Sequence, residues 1–141
     1  MKRKASAIWH GSLKDGKGSL STDSGVLKET QYSFATRFEQ GVGTNPEELI
    51  GAAHAGCFSM AFAAELGKAG LTPEAIRTTA TITLDKTDAG WTVTESHLDV
   101  TVKIPGADPE KVLVIANAAK AGCPISRLLN AKVTLDAKVE G

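Results

Sequence analysis

Hydrophobic and polar positions alternate in short runs over the first third of the chain, at residues 5–9, 18–21, 26–29 and 32–38. A period of two marks strands with one face turned to the core. The stretch Asp15-Gly16-Lys17-Gly18 and the pair Ser24-Gly25 supply turn residues between these runs, which predicts antiparallel strands. After a loop at residues 41–44 the pattern changes. Asn45 offers an N-cap oxygen, Pro46 suits the first helical position, and Glu48 completes a capping box. The helix that starts there runs to about residue 68, with Gly70 to end it. From residue 49 to 62 it is apolar or small around nearly its whole circumference, so it is expected to be a buried central helix wrapped on several sides. Gly51, Ala52, Ala55 and Gly56 would let a sheet or a second copy of the helix come close. Alternation returns at residues 77–86 and 91–104, a long hairpin around Thr87-Asp88-Ala89-Gly90. Asp108-Pro109 then caps a helix with Val112, Leu113, Ile115 and Ala116 inward, stopping near Gly122. Pro124 opens a short helix, and residues 132–140 form a last strand. The sum is an α+β fold built on antiparallel sheet.

A length of 141 residues suits a single domain, 1–141, with enough chain to bury a core. Charges balance, 16 Lys plus Arg against 16 Asp plus Glu, so no net field draws the chain to nucleic acid or an anionic membrane. The basic start Met1-Lys2-Arg3-Lys4 leads into no apolar stretch of secretory length, and the expected location is the cytoplasm. Residues 49–64 contain His54 and stop at Glu65, short and polar for a bilayer span. In a reducing compartment the two cysteines, Cys57 and Cys123, argue for catalysis, sensing or plain burial sooner than for a structural staple.

On local physics Cys123 is the more reactive thiol. Gly122-Cys123-Pro124 sets it at the start of the short helix, where exposed amides favour a thiolate. Cys57 lies inside an apolar helix, where desolvation disfavours its thiolate unless a cation stands beside it. Core packing is an equally natural fate for such a residue.

The segment from Gly43 to Met60, GTNPEELIGAAHAGCFSM, closely resembles the peroxidatic helix of the OsmC/Ohr family of thiol peroxidases, and Lys120-Ala121-Gly122-Cys123-Pro124-Ile125-Ser126 resembles its resolving-cysteine segment. Residues 18–22, 24–27, 36–39 and 84–90 extend the likeness across nearly the whole chain and favour the OsmC branch. This resemblance implies an interwoven homodimer that reduces organic hydroperoxides, and inorganic peroxide less well, with no metal, haem or flavin. By the same likeness Cys57 is the peroxidatic thiol and Cys123 the resolving thiol. Arg37 is the cation that stabilises the Cys57 thiolate, and Glu47 is the carboxylate that positions Arg37. A dithiol reductant, lipoylated proteins in the family, would close the cycle.

The chemistry of the residues agrees with these roles. A Cys57 thiolate attacks a peroxide oxygen, the alcohol leaves, and the sulfenic acid condenses with Cys123 to a disulfide. Arginine keeps its charge when buried and its fork can hold a carboxylate and a thiolate together. Glu48, nine residues before Cys57, points to the opposite face of the helix and fits a capping role. Glu47 falls about 80° from Cys57 around the axis but about 15 Å along it, so Arg37 and Glu47 are expected to serve Cys57 of the other chain. His54 shares the side of Cys57, which raises a Cys-His pair or a zinc site. Zinc lacks a fourth ligand there, and interface hydrogen bonding or packing is the expected role. Phe34, Phe38 and Ile125 are the best candidates to line an apolar approach. Two other readings stay open, a redox-responsive or osmotic-stress binding protein without efficient turnover and a thiol-disulfide exchanger built on Cys123-Pro124-Ile125-Ser126.

Overall fold

The computed structural model describes residues 1–141, which fall into two compact units, Met1–Leu49 and Ile50–Gly141. In the first unit β1 (Ala5–His10), β2 (Lys17–Thr22) and β3 (Thr30–Tyr32) form an antiparallel sheet in that order. The run expected as a strand at residues 26–29 is a turn region, and the one expected at 32–38 divides after Tyr32. Its second part is a short helix, α1 (Phe34–Phe38). Ser33 starts it, because its side chain accepts from the Thr36 N–H while the Thr36 hydroxyl accepts from the Ser33 N–H. Phe34 and Phe38, alternate positions in a strand reading, are instead one helical turn apart, their ring centroids separated by 5.0 Å.

The long helix α2 (Pro46–Lys68) begins as its cap residues predict, the Asn45 side-chain oxygen accepting from the Glu48 N–H at 2.8 Å. The capping box is only half formed, since the Glu48 carboxylate accepts from the Thr44 hydroxyl at 2.7 Å. Gly70, at φ 75°, stops the helix by turning the chain so that the Leu71 N–H donates to Leu66 O.

Within the second unit β4 (Ala75–Thr87) and β5 (Gly90–Lys103) make the expected hairpin. The chain then crosses through α3 (Pro109–Gly122) and α4 (Pro124–Leu128) to β6 (Lys132–Glu140). That last strand pairs with β5 in parallel, from Glu95↔Lys132 to Lys103↔Glu140. The sheet is therefore mixed, a correction to the antiparallel expectation, and the helical crossover is what a parallel return requires.

The core lies between one stripe of α2 and the sheet. Gly51, His54, Phe58, Phe62 and Leu66 are buried at three- and four-residue spacing. They meet Leu98, Val100 and Val102 from β5 and Val112, Ala116 and Ala119 from α3. At Gly51 the helix comes close to β4, where an added Cβ would stand 3.4 Å from Ala80 O, an ordinary van der Waals distance that the approach tolerates. Leu113 faces outward, against expectation. The other face of α2 is not wrapped in the single chain: Ala52, Ala53, Gly56, Met60, Ala63 and Ala64 are exposed. By length and mean hydropathy α2 also matches a membrane span, a property that core helices share, and its buried stripe belongs to the core of this unit.

Candidate active site

Two thiols from distant parts of the sequence meet in the second unit. Cys57, half-buried on α2, borders Phe58 of the core stripe. Cys123 is fully buried at the bend where α3 ends and α4 begins, its N–H donating to Ala119 O at 2.9 Å and Pro124 setting the new helix. Both are free, with their Sγ atoms 2.9 Å apart in hydrogen-bond contact, so a disulfide at about 2 Å needs only a small local shift.

Their surroundings treat them oppositely. Burial pushes the Cys57 thiol up, and its hydrogen bond to Cys123 adds to this more than the Ile125 backbone N–H offsets. Burial acts on Cys123 as well, yet the hydrogen bond from Cys57, the N–H groups of Ser126 and Ile125 and the Ser126 hydroxyl outweigh it and draw Cys123 down. The Cys123 side chain makes no N-cap hydrogen bond on α4, yet the amides of that first turn favour charge on the sulfur. Either thiol can donate across the 2.9 Å contact, and the amides make Cys123 the better acceptor. This matches the expectation for each thiol on local physics.

The other two candidate residues form a pair in the first unit. Arg37, in the last turn of α1, donates from Nε to Glu47 Oε1 at 2.7 Å, and Glu47 lies in the first turn of α2. The Arg37 side chain is 40% exposed and that of Glu47 12%. The second Glu47 oxygen, Oε2, is buried without a hydrogen-bond partner. Such an atom normally finds a donor. The guanidinium also lies 5.4 Å from the Phe38 ring centroid. A pocket of about 260 Å³ opens beside it, lined by Trp9, Leu13, Tyr32, Ser33, Phe34, Arg37 and Phe38. Phe34 and Phe38, expected to line an approach to the thiols, line this pocket beside Arg37 in the first unit, while Ile125 packs against the core and Phe58 and Phe62 are core proper.

His54 takes a role the sequence did not reveal. It is fully buried, with Nδ1 2.6 Å from Ser96 Oγ on β5 and Nε2 2.8 Å from Ser126 Oγ on α4. Burial lowers its pKa, which keeps the ring neutral. With both nitrogens engaged by serines it forms no Cys-His pair, and its bonds run inside the subunit, not across an interface. His97 likewise gains Thr134 on Nδ1 at 2.6 Å and Asp136 at 3.3 Å from Nε2, both brought to it by the parallel register with β6, beside Asp99 of its own strand, also 3.3 Å from Nε2.

Comparison with known proteins agrees with this architecture. The family described as OsmC-like protein matches residues 39–138. The Escherichia coli (strain K12) protein named Peroxiredoxin OsmC is 54% identical over 134 residues, 95% of this chain and 94% of its own length. The organic hydroperoxide resistance protein OhrB of Bacillus subtilis is 28% identical over 124 residues, 87% of this chain and 88% of its own. The crystal structure of that OhrB matches this fold with a TM-score of 0.69, covering 97% of this chain and 98% of its own. An OsmC-like protein of Mycoplasma pneumoniae reaches 0.77 at 14% identity, covering 100% and 99%.

Proposed function

We propose that this chain, which belongs to the OsmC-like protein family, is a homodimeric, cytoplasmic peroxidase that reduces organic hydroperoxides through a Cys57-Cys123 thiol-disulfide cycle. The observation that carries this reading is the 2.9 Å contact between two free sulfurs. Ionised Cys57 attacks one peroxide oxygen, the O–O bond breaks, and the alkoxide takes a proton and leaves as alcohol. Cys57, oxidised to the sulfenic acid, then condenses with Cys123 and releases water. A dithiol, such as a lipoylated protein, returns both thiols to the reduced state.

A second copy of the chain fits two unfinished features. The exposed stripe of α2, with Met60 at 77% exposure among alanines and Gly56, is shaped for close approach of an equivalent helix. Arg37 uses Nε on Glu47 and keeps its two Nη nitrogens for further acceptors. On this reading the Arg37–Glu47 pair of one chain faces Cys57 of the other, supplies the positive charge that the thiolate lacks within its own unit, and sets the aromatic pocket beside the reacting peroxide.

Multiple-turnover loss of cumene hydroperoxide with a dithiol reductant, abolished by Cys57→Ser, is the expected result. Stoichiometric oxidation without turnover would favour a redox-responsive protein instead. The lowered Cys123 pKa favours one rival, a thiol-disulfide exchanger in which Cys123 reacts first. That rival requires Cys123→Ser, and not Cys57→Ser, to remove the first reaction with oxidant.

A further inference from the structure

The peroxidase cycle proposed above uses four residues and leaves a buried chain of polar groups unexplained. Ser96, His54 and Ser126 connect in sequence, at 2.6 Å and 2.8 Å, and end beside Cys123, three residues before Ser126. Ser96 and His54 are both fully buried, where unsatisfied polar groups are costly and networks are retained only when every member is bonded.

Hydrogen counting allows two directions for the chain, one for each tautomer of the neutral His54 ring. The Ser126 hydroxyl has one hydrogen. If that hydrogen goes to the Cys123 sulfur, the serine oxygen must accept from His54 Nε2–H. Nδ1 of the neutral ring is then bare and accepts from the Ser96 hydroxyl, leaving every member satisfied. The reverse order turns the Ser126 hydrogen toward His54 Nε2, so that the serine no longer has a hydrogen to give to Cys123. Only the tautomer with its hydrogen on Nε2 leaves the Ser126 hydroxyl free to donate to Cys123, the arrangement that favours the thiolate. The titratable groups facing this network are Cys57 and His54 itself, both from α2, while β5 and α4 contribute only uncharged serines.

We propose that His54 and Ser126 are positioning residues that hold Cys123 as the thiolate for disulfide formation and receive it again as the leaving group. This rests on the two-thiol cycle. The Cys123 thiolate gives an electron pair to the sulfur of the Cys57 sulfenic acid, the S–S bond forms, and the S–O bond breaks. The hydroxide released carries off the other pair and takes a proton to become water. In the return step a thiolate of the dithiol reductant attacks Cys57, Cys123 departs as thiolate, and the second reductant thiol frees Cys57. The lowered pKa of Cys123, to which the Ser126 hydroxyl contributes, is in keeping with this role.

Ultraviolet titration of the Cys123 thiolate in a Cys57→Ser background provides a readout that a purely structural role would not move. Ser126→Ala and His54→Gln are expected to raise its pKa by about one unit or more, a tenfold or greater loss of thiolate below it. Ser126→Thr should restore the original titration. In chains with both cysteines, the first two variants should slow disulfide formation about tenfold and accumulate dimedone-reactive Cys57 sulfenic acid. If His54→Gln fails to fold, the half-buried Ser126→Ala, which deletes one hydroxyl, carries the test alone. Unchanged Cys123 titration and unchanged disulfide formation in folded Ser126→Ala would overturn the role of this network. Persistence of the first oxidation in Cys57→Ser would instead overturn the peroxidase reading.

Discussion

A sulfur buried on an apolar helix is a poor anion, and the surroundings of Cys57 raise its pKa through burial first and the neighbouring thiol second. The thiolate fraction of such a group falls tenfold for each pH unit below its pKa. On the proposed function, in which the Arg37 guanidinium of a second chain offsets this burial, its loss should lower the first oxidation step by about tenfold to a thousandfold near neutrality. Arg37→Ala is accordingly expected to recover rate as pH rises, and stopped-flow oxidation across pH will show the profile displaced to higher values. His54 gives a second pH signature. Its folded pKa lies below the ordinary 6.5, so the unfolded chain binds the extra proton and stability is complete above about 6.5. As pH falls from there toward the lowered folded value, stability should decline by up to about 1.4 kcal/mol per unit. Thermal melts of the parent should carry this slope, and His54→Gln should lack the corresponding part. Individual residue chemistry was partly legible in advance. Gly122-Cys123-Pro124 announced a thiol facing amides, whereas nothing local in the sequence announced that Ser96 and Ser126 would close on His54 from elements 42 and 72 residues away.

Whole elements were read well where caps and period agreed. Asn45, Pro46 and Gly70 bounded α2, and Asp108 bounded α3 through its side chain on the Glu110 N–H. Phe34-Ala35-Thr36-Arg37-Phe38 misled because aromatic residues at every second or fourth position satisfy a strand and a helix equally, and the reciprocal Ser33–Thr36 bonds decide for the helix. Strand β6 looked antiparallel because alternation is the same in either direction; only the crossover through α3 and α4 reverses it. Helix α2 was expected to be wrapped all round because alanine and glycine count as apolar wherever they point. The structure divides them instead into a buried stripe and an exposed one. The two stripes predict different failures. Phe58→Ala, emptying a fully buried site, should cost about 3–5 kcal/mol in chemical denaturation. Met60→Glu, on the exposed stripe, should leave the subunit folded while sedimentation shows the dimer dissociated and peroxidase turnover lost.

At the scale of the whole molecule, the candidate residues resolve into a thiol pair in one unit and a cation-carboxylate pair in the other. Glu47 stands about 15 Å along the axis from Cys57 on a straight helix, and the proposed function accordingly draws the completed site from two chains. Heterodimers mixed from inactive Cys57→Ser and inactive Glu47→Ala chains should therefore regain activity, since one of their two sites has every member. No recovery in verified heterodimers would place all four residues' action within one subunit. Mass spectrometry of fully reduced protein after one equivalent of cumene hydroperoxide tests the thiol cycle most directly. The expected product has lost two hydrogens and carries an intrachain bond between Cys57 and Cys123, with Cys123→Ser chains stopping at sulfenic acid on Cys57. Oxidation that spares Cys57, or that leaves both sulfurs unlinked, would contradict it.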